Sequence, residues 1–599
     1  MLKPIDGKTT GALKVQAAYQ EFLDRLPVRK PRKLLFVSVP QVPADLFLPE
    51  TADRDGYYTY PPTGFLYLAA AARLAIPDME LKVLDLNFEM LRRCRLGMLD
   101  QVDGFWKEIL DQEISGSEQL HVCVGNNWFS VTPMFLEVTR YIKDNFKDVT
   151  LVTGGVETTQ SYKRVVDGDY CHLAFRHDAE VPFRRFLESC QGIETSSVPH
   201  GIAFKLDNNF YETEPSHEPS KEFLDIRPYY HLIEVENYYR FGGLNPFARY
   251  LGKGKVYGTV LSNRGCRASC TFCGVLAFYP DGVRPRTARS VVDEIKFLVE
   301  EKGVRLIDWL DDDLVYSKKG SVELFKLMAE ELPSDFEWTA VNGITGCAIT
   351  EEIMYWMVKS GCKAFRVGVE SGNEAMLLKI RKPATKDGLR QAGVMFNKYP
   401  EVFIGGNYML GFPEETFGEM MDTFDFANEL SWDWAHYSIC QPAADTTDVY
   451  GRPTEGLIPA RQSEQSGAFG YEQKNGSTRQ GAASVLSGRD VFDLPRDQVP
   501  SGEQIKEIWF TFNIVTNFFS NRNFAIGGDT DKIVRWFESI SASYPRDASM
   551  YAMLAHGHDL LGNNQESLEN REKFHRLHAE FDYWQRRVRE FPELLEYAG

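Results

Sequence analysis

The sequence predicts an α/β protein: two successive strand-and-helix domains, then a helical one. Three observations predict it. Short, nearly continuous apolar runs alternate with helix-period segments twice over; the composition turns polar, Gly- and Ser-rich after about residue 443; and helical spacing fills residues 502–599. At 599 residues, 43% of them hydrophobic, the chain can fill the cores of about three or four domains.

A polar leader occupies residues 1–31. The first alternation, residues 32–191, has apolar runs at Leu34 to Val39, Leu81 to Leu86, Val122 to Gly125 and Val149 to Thr153, each continuous as a strand buried on both faces should be. Gly64 to Ala75 and Pro133 to Asn145 have the length of crossover helices, so this domain reads as doubly wound. Residues 192–255 form an aromatic-rich connector containing Tyr229, Tyr230, Tyr238, Tyr239 and Phe241.

The second alternation, residues 256–442, places strands at Val256 to Leu261, Arg305 to Leu310, Phe336 to Val341, Ala364 to Val369, Val402 to Leu410 and Trp434 to Cys440. Helical stretches lie between them. Six such units make a partial (β/α)6 barrel, whose reactive centre belongs at the carboxyl ends of the strands. Residues 443–501 read as a long loop or linker. Residues 502–599 read as a helical domain with a charged helix from Gln565 to about Phe591 and one pair of helices faintly like a tetratricopeptide unit.

Charge and cysteines narrow the function. With 67 Lys and Arg against 85 Asp and Glu, the net charge of −18 disfavours a nucleic-acid partner, which calls for a basic footprint. No run of about 18 apolar residues appears, and the amino terminus lacks a signal pattern, so the expectation is a cytoplasmic protein without a membrane span. Of 10 cysteines, seven are scattered and three crowd together as Cys266-Arg-Ala-Ser-Cys270-Thr-Phe-Cys273, directly after the first barrel strand. Cys347, Cys362 and Cys440 read as small core residues. His575 and His578 have metal-pair spacing but sit on a charged helix, and read as a solvated face.

Three thiolates on one loop allow two readings. A structural zinc ion needs a fourth ligand, and the next candidates, His231, Cys347 and His436, are distant in sequence. Alternatively the thiolates hold three corners of a 4Fe-4S cube and leave the fourth iron open. The spacing, its place after the first strand and Phe272 before the last cysteine resemble the radical S-adenosylmethionine (SAM) superfamily, over Val256 to about Pro442. The resemblance implies that Cys266, Cys270 and Cys273 bind a 4Fe-4S cluster, on whose open iron SAM is cleaved to a 5′-deoxyadenosyl radical.

Further landmarks of that family lie downstream. Asp311-Asp312-Asp313 ends the second strand, where Asp312 and Asp313 would lie near the amino end of SAM; a helix-capping turn is the other reading. Val367-Gly-Val-Glu370-Ser371-Gly372 ends the fourth strand and resembles the Gly-x-Glu-Ser signature that meets the ribose or methionine of SAM, with glycine permitting close backbone approach. Asn407-Tyr-Met-Leu-Gly411-Phe-Pro413-Glu414-Glu415-Thr416 resembles the turn on which adenine packs. Gln441-Pro442-Ala-Ala-Asp445-Thr446 departs from the family's Pro-x-Pro-Gly-Thr run.

The first domain resembles the cobalamin-binding module found ahead of such barrels. Tyr60-Pro61-Pro62-Thr63-Gly64-Phe65-Leu66-Tyr67-Leu68-Ala69 is similar to its entry into the first helix, and Asp85-Leu86-Asn87, Val124-Gly125, Gly154-Gly155 and Arg176-His-Asp-Ala-Glu180 come after it in the module's order. Tyr57, Tyr58 and Tyr60 are candidates for the corrin face, and Gly154 and Gly155 for close approach of the ligand. The Asp-x-His-x-x-Gly lower-ligand motif is absent, which leaves open a domain that kept the fold and lost the ligand.

Together the resemblances imply a Rossmann-like cobalamin-binding domain, a radical SAM barrel and a helical tail. They imply a methyltransferase acting on an unactivated carbon of a natural-product or lipid-like small molecule, served by an external flavodoxin- or ferredoxin-type electron donor. The alternatives are a radical SAM cyclase, ring-rearranging or coupling enzyme, and, from another class, a zinc-stapled binding protein.

Overall fold

The structure, a computed structural model, describes residues 7–41, 47–54, 56–57, 59–98, 104–127, 131–193, 198–215, 221–241, 245–251, 254–279, 282–440, 486 and 488–599. The chain divides into two compact units. The first comprises residues 1–48, 59–242 and 277–290; the second comprises 49–58, 243–276 and 291–599. Among the described residues, no helix is long and apolar enough to cross a membrane.

The first unit is built on seven strands: β1 (Lys33–Ser38), β2 (Glu80–Asp85), β3 (Leu120–Gly125), β4 (Thr150–Gly154), β5 (Leu173–Phe175), β6 (Ile202–Leu206) and β7 (Asn209–Glu212). Their order is β2-β1-β3-β4-β5-β6-β7, the first five parallel and the last two antiparallel. The order reverses between β1 and β3, and the crevice above that reversal is where open α/β sheets bind ligands. β1 shows why the strands are continuous in sequence: Leu34, Leu35, Phe36 and Val37 are all buried, facing helices on both sides.

Helix Thr63–Ala75 buries Ala69 to Ala72, and these small side chains let it lie against helix Glu180–Gln191. Two strands that sequence periodicity does not reveal, β6 and β7, lie within the stretch read as a connector. They join the sheet through backbone pairing, and β7 has little buried surface to leave a pattern. The connector's Tyr238 hydroxyl reaches the buried Asp85 carboxylate at 3.1 Å.

The second unit contains β8 (Tyr257–Val260), β9 (Leu306–Trp309), β10 (Glu337–Ile344), β11 (Cys362–Glu370), β12 (Phe403–Leu410) and β13 (Trp434–Ile439), all parallel and in sequential order. Helices Ala288–Lys302, Lys318–Glu331, Glu351–Lys359, Lys386–Phe396 and Phe417–Leu430 connect them, as expected of a partial barrel. Among the described residues, the β8 and β13 edges are not paired with each other.

The β13 edge is covered by the helical tail. Helix Gly502–Ile514 passes into a π-helical turn, Val515–Phe519, which presents the Asn517 amide to the strand. Asn517 accepts from Ala435 N–H at 2.8 Å and donates to Ala435 C=O at 2.7 Å, while the Trp509 indole donates to Tyr437 C=O at 2.8 Å. A side-chain amide thus replaces the missing neighbour strand, which removes an exposed edge. The buried Lys532–Asp433 pair, 2.7 Å apart, ties the tail to the start of β13.

Three expectations need revision. The charged helix from Gln565 is two helices, Asn564–Glu580 and Asp582–Glu590, because the chain turns extended at Phe581; the second helix then buries Tyr583, Trp584, Arg587 and Val588. Part of the stretch read as a linker is structured: Gly488–Asp493 is a 3-10 turn, and the carbonyls of Arg496 and Gln498 accept from Gly418 and Phe417 at the start of a barrel helix. Cys347 is exposed rather than core, because the turn Gly346–Ala348 carries it to the surface beside Thr385.

Candidate active site

The cysteine loop leaves β8 at Leu261 and is fastened by residues that come after β9. The Asp311 carboxylate accepts from Ser262 N–H at 3.0 Å, from Asn263 N–H at 2.9 Å and from the Ser262 hydroxyl. The Asn263 amide donates to Asp313 C=O at 3.1 Å. The Arg267 guanidinium pairs with the Asp313 carboxylate at 2.7 Å and donates to the carbonyls of Val315 and Tyr316. Burial pushes the Asp311 carboxyl up to about 7 against the pull of its Ser262 and Asn263 donors.

The three aspartates therefore divide their work. Asp311 and Asp313 are buried and hold the loop. Asp312, between them, accepts only the Gly265 backbone N–H among the partners acting on its charge, is raised to about 6 by burial, and lies close enough to Cys266 and Cys273 to act on both.

On the loop itself, Cys270 is buried while Cys266 and Cys273 are partly exposed. Ala268 N–H points at Cys266 Sγ from 3.4 Å. Burial pushes the Cys270 thiol up to about 11, opposed by the charge of Lys382, and burial likewise raises Cys266 and Cys273. Metal binding at such thiols releases protons and is coupled to pH. Among the described residues, no group of three or more His, Cys, Asp or Glu side chains converges on a single ion. Three thiols that each bind a separate iron of a cube need no such convergence, so the donor set fits a 4Fe-4S cluster.

Glu370 ends β11 at a register irregularity and has a left-handed backbone, φ 68°. For a residue other than glycine that conformation stores strain of about 1–3 kcal/mol, as functional sites often do. Its carboxylate lies 2.8 Å from Lys382 Nζ. The next two residues turn elsewhere. The Ser371 hydroxyl is 3.2 Å from that of Thr423, and Gly372 N–H donates to the same Thr423 oxygen at 3.0 Å. A Cβ on Gly372 would stand 2.2 Å from the Asp422 carbonyl, so this glycine lets helix Phe417–Leu430 approach the strand end. Glu370 is thus brought to the cysteine loop, whereas Ser371 and Gly372 are engaged by the helix.

At the end of β12, Gly411 has φ 81°, and the N–H groups of Gly411 and Phe412 both donate to Glu415, at 2.6 and 3.0 Å. This closes the turn and places Phe412 against Phe272 of the cysteine loop, ring centroids 5.6 Å apart. Met376, Leu377, Ile380 and Cys440 complete the apolar cluster around them. Gln441, Pro442, Asp445 and Thr446 lie outside the described residues.

In the first unit, the predicted residues fall into two groups. Tyr60 and Pro62 are half-buried ahead of helix Thr63–Ala75, and among the described residues a Cβ on Gly64 would meet nothing within 4 Å, which leaves the helix start uncovered there. Gly155 has an internal reason for being glycine, whereas a Cβ on Gly154 would make ordinary contact with Phe175 at 3.5 Å. Gly155 has φ 115°, its Cβ would lie 2.4 Å from the Asn126 carbonyl, and Asn126 N–H donates to Gly154 C=O at 2.9 Å. These glycines join the ends of β3 and β4. Glu180 is buried in the first turn of its helix. Tyr57 is buried and belongs to the second unit; Tyr58 lies outside the described residues.

Several site residues escape sequence reading. Asp311 and Thr423 act through buried hydrogen bonds to residues distant in sequence, Arg267 through partly buried ones, Glu415 by closing its own turn, and Lys382 is one basic residue in Lys379-Ile-Arg-Lys382.

Residues 260–427 match the family described as the Radical SAM superfamily. The match runs from the end of β8 into helix Phe417–Leu430 and so includes the three-cysteine loop. Relatives of the chain include an uncharacterized methyltransferase of Pyrococcus horikoshii, 26% identical over 311 residues, which are 52% of this chain and 64% of the relative. They also include the anaerobic magnesium-protoporphyrin IX monomethyl ester cyclase of Cereibacter sphaeroides, 24% identical over 300 residues, 49% of this chain and 46% of that one. The chain thus spans less than two thirds of the length of these relatives. The fold is similar to that of the radical SAM methyltransferase TsrM from Kitasatospora setae, solved with cobalamin and a 4Fe-4S cluster. That match has a TM-score of 0.53 at 16% identity, over 68% of this chain and 75% of that one.

Proposed function

We propose that the chain is a cobalamin-dependent radical SAM methyltransferase acting on an unactivated carbon of a natural-product or lipid-like small molecule. The observation that carries the reading is the fastened three-cysteine loop at the carboxyl end of β8, with Glu370 and Asp312 turned toward it. When bound, the cluster and SAM supply a hydrogen-abstracting radical, and cobalamin supplies a methyl carrier.

The protein's own residues do the rest. Cys266, Cys270 and Cys273 are the ligands for three irons. Glu370 and Asp312 offer carboxylates to the amino and hydroxyl groups of SAM, while the Gly411 turn and the Phe272–Phe412 pair offer an apolar, tightly turned wall to a planar ring. In the first unit, the uncovered helix start at Gly64 beside Tyr60 and Pro62 and the β1–β3 reversal support cobalamin as the ligand. A flavodoxin- or ferredoxin-type protein is the proposed electron donor.

The resemblance to a cyclase favours a second reading, in which the same barrel performs a radical reaction without net methyl transfer. Anaerobic incubation of the reconstituted chain with cobalamin, methyl-labelled SAM and a low-potential one-electron reductant separates the two. Label appearing on cobalamin supports the methyltransferase; 5′-deoxyadenosine formed with no labelled cobalamin supports the alternative.

A further inference from the structure

Lys382 has no role in the sequence reading, yet the fold carries it into the site. Helix Glu374–Lys379 stops at Ile380, Arg381 turns left-handed with φ 56°, and Lys382 N–H closes on Leu377 C=O at 3.0 Å. That turn is docked on the cysteine loop: Thr271 N–H donates to Ile380 C=O at 3.0 Å, and the Cys270 thiol points at Arg381 C=O from 3.8 Å. The turn leaves Arg381 exposed and directs Lys382 inward, its side chain 12% exposed.

Space is kept for the ammonium. A Cβ on Gly368 of β11 would stand 2.6 Å from Lys382 Nζ and 2.8 Å from Glu370 Oε1. Gly368 thus leaves room for this ion pair, where the sequence suggested close backbone approach. Burial opposes the ammonium charge, but Glu370, followed by the thiols of Cys270 and Cys266, holds its pKa above the ordinary lysine value.

We propose that Lys382 is a positioning residue of the cluster site, whose buried ammonium balances the charge of the Cys266, Cys270 and Cys273 thiolates and holds the Glu370 carboxylate in place. The proposal rests on the radical SAM reading of that loop. Adding an electron to an anionic thiolate-bound cluster is opposed by its own charge, and a buried cation beside it eases the reduction.

The test is a redox titration of the anaerobically reconstituted full chain without SAM, followed by electron paramagnetic resonance, with iron counted in each sample. Lys382→Met is expected to keep its iron and lose tenfold or more in the reduction equilibrium, a fall of about 59 mV for one electron. Lys382→Arg should recover most of that fall. Gly368→Ala, which displaces the ammonium without removing it, should lower the potential too, and decides the matter if Lys382→Met loses its iron. Iron retained with an unmoved potential overturns the proposal. A parent chain that holds zinc and no iron overturns the reading beneath it, a failure distinguishable because it precedes any variant.

Discussion

Lys382 Nζ lies 2.8 Å from Glu370 Oε1, and that pair joins the end of the fourth barrel strand to the turn docked on the cysteine loop. Glu370 holds this place with a left-handed backbone. Its charge is therefore expected to serve ligand binding more than folding. Glu370→Gln, which keeps the shape, should retain iron while weakening SAM binding about tenfold, the effect of losing about 1.4 kcal/mol. Calorimetry under anaerobic conditions reads this; unchanged affinity would remove Glu370 from the SAM site.

The cysteines make a selective prediction. Cys266→Ala, Cys270→Ala and Cys273→Ala should each fail to retain a full cluster after reconstitution. Cys347→Ala should retain it, since Cys347 is exposed on a separate turn. Iron and sulfide analysis of the four proteins checks this, and a full cluster in any of the first three would contradict the assignment.

Asn517 predicts a stability effect far from the chemistry. Replacing it by Ala strands the Ala435 N–H and C=O on the edge of β13, at about 1–3 kcal/mol for each buried group left unpaired. Thermal unfolding of Asn517→Ala should begin several degrees lower, with iron content unchanged before the transition. No shift would mean that water replaces the amide without cost.

Glu415 predicts a pH dependence. Burial raises its carboxyl from 4.5 to about 8, against the two backbone donors of its turn. Between those values the folded chain holds a proton that the unfolded chain has lost, so this group's contribution to stability falls as pH rises from about 4.5 to about 8 and is level above. Glu415→Gln should flatten that part of the stability profile and stabilise the protein above pH 8, as read by denaturant unfolding at a series of pH values.

Much of this molecule is legible in its sequence, for physical reasons. Strands such as Leu34–Val37 are buried on both faces and leave continuous apolar runs, and thiol ligands must share a short loop, so Cys266, Cys270 and Cys273 leave a spacing. Residues that act across the fold leave no such mark. Asp311 looks like its neighbours Asp312 and Asp313 until the loop after β8 closes on it. Gly155 and Gly372 look like openings for a ligand until Asn126 and Asp422 are found in that space. The strand β7 is short and half-exposed, and only its pairing with β6 defines it.

The central claim is that the loop after β8 holds a SAM-cleaving iron–sulfur cluster. The most direct measurement is anaerobic reconstitution of the full chain with iron and sulfide, followed by reduction and addition of SAM. The expected result is about four irons per chain, a brown chromophore and 5′-deoxyadenosine formed from SAM. A colourless protein with one zinc and intact SAM would contradict the claim.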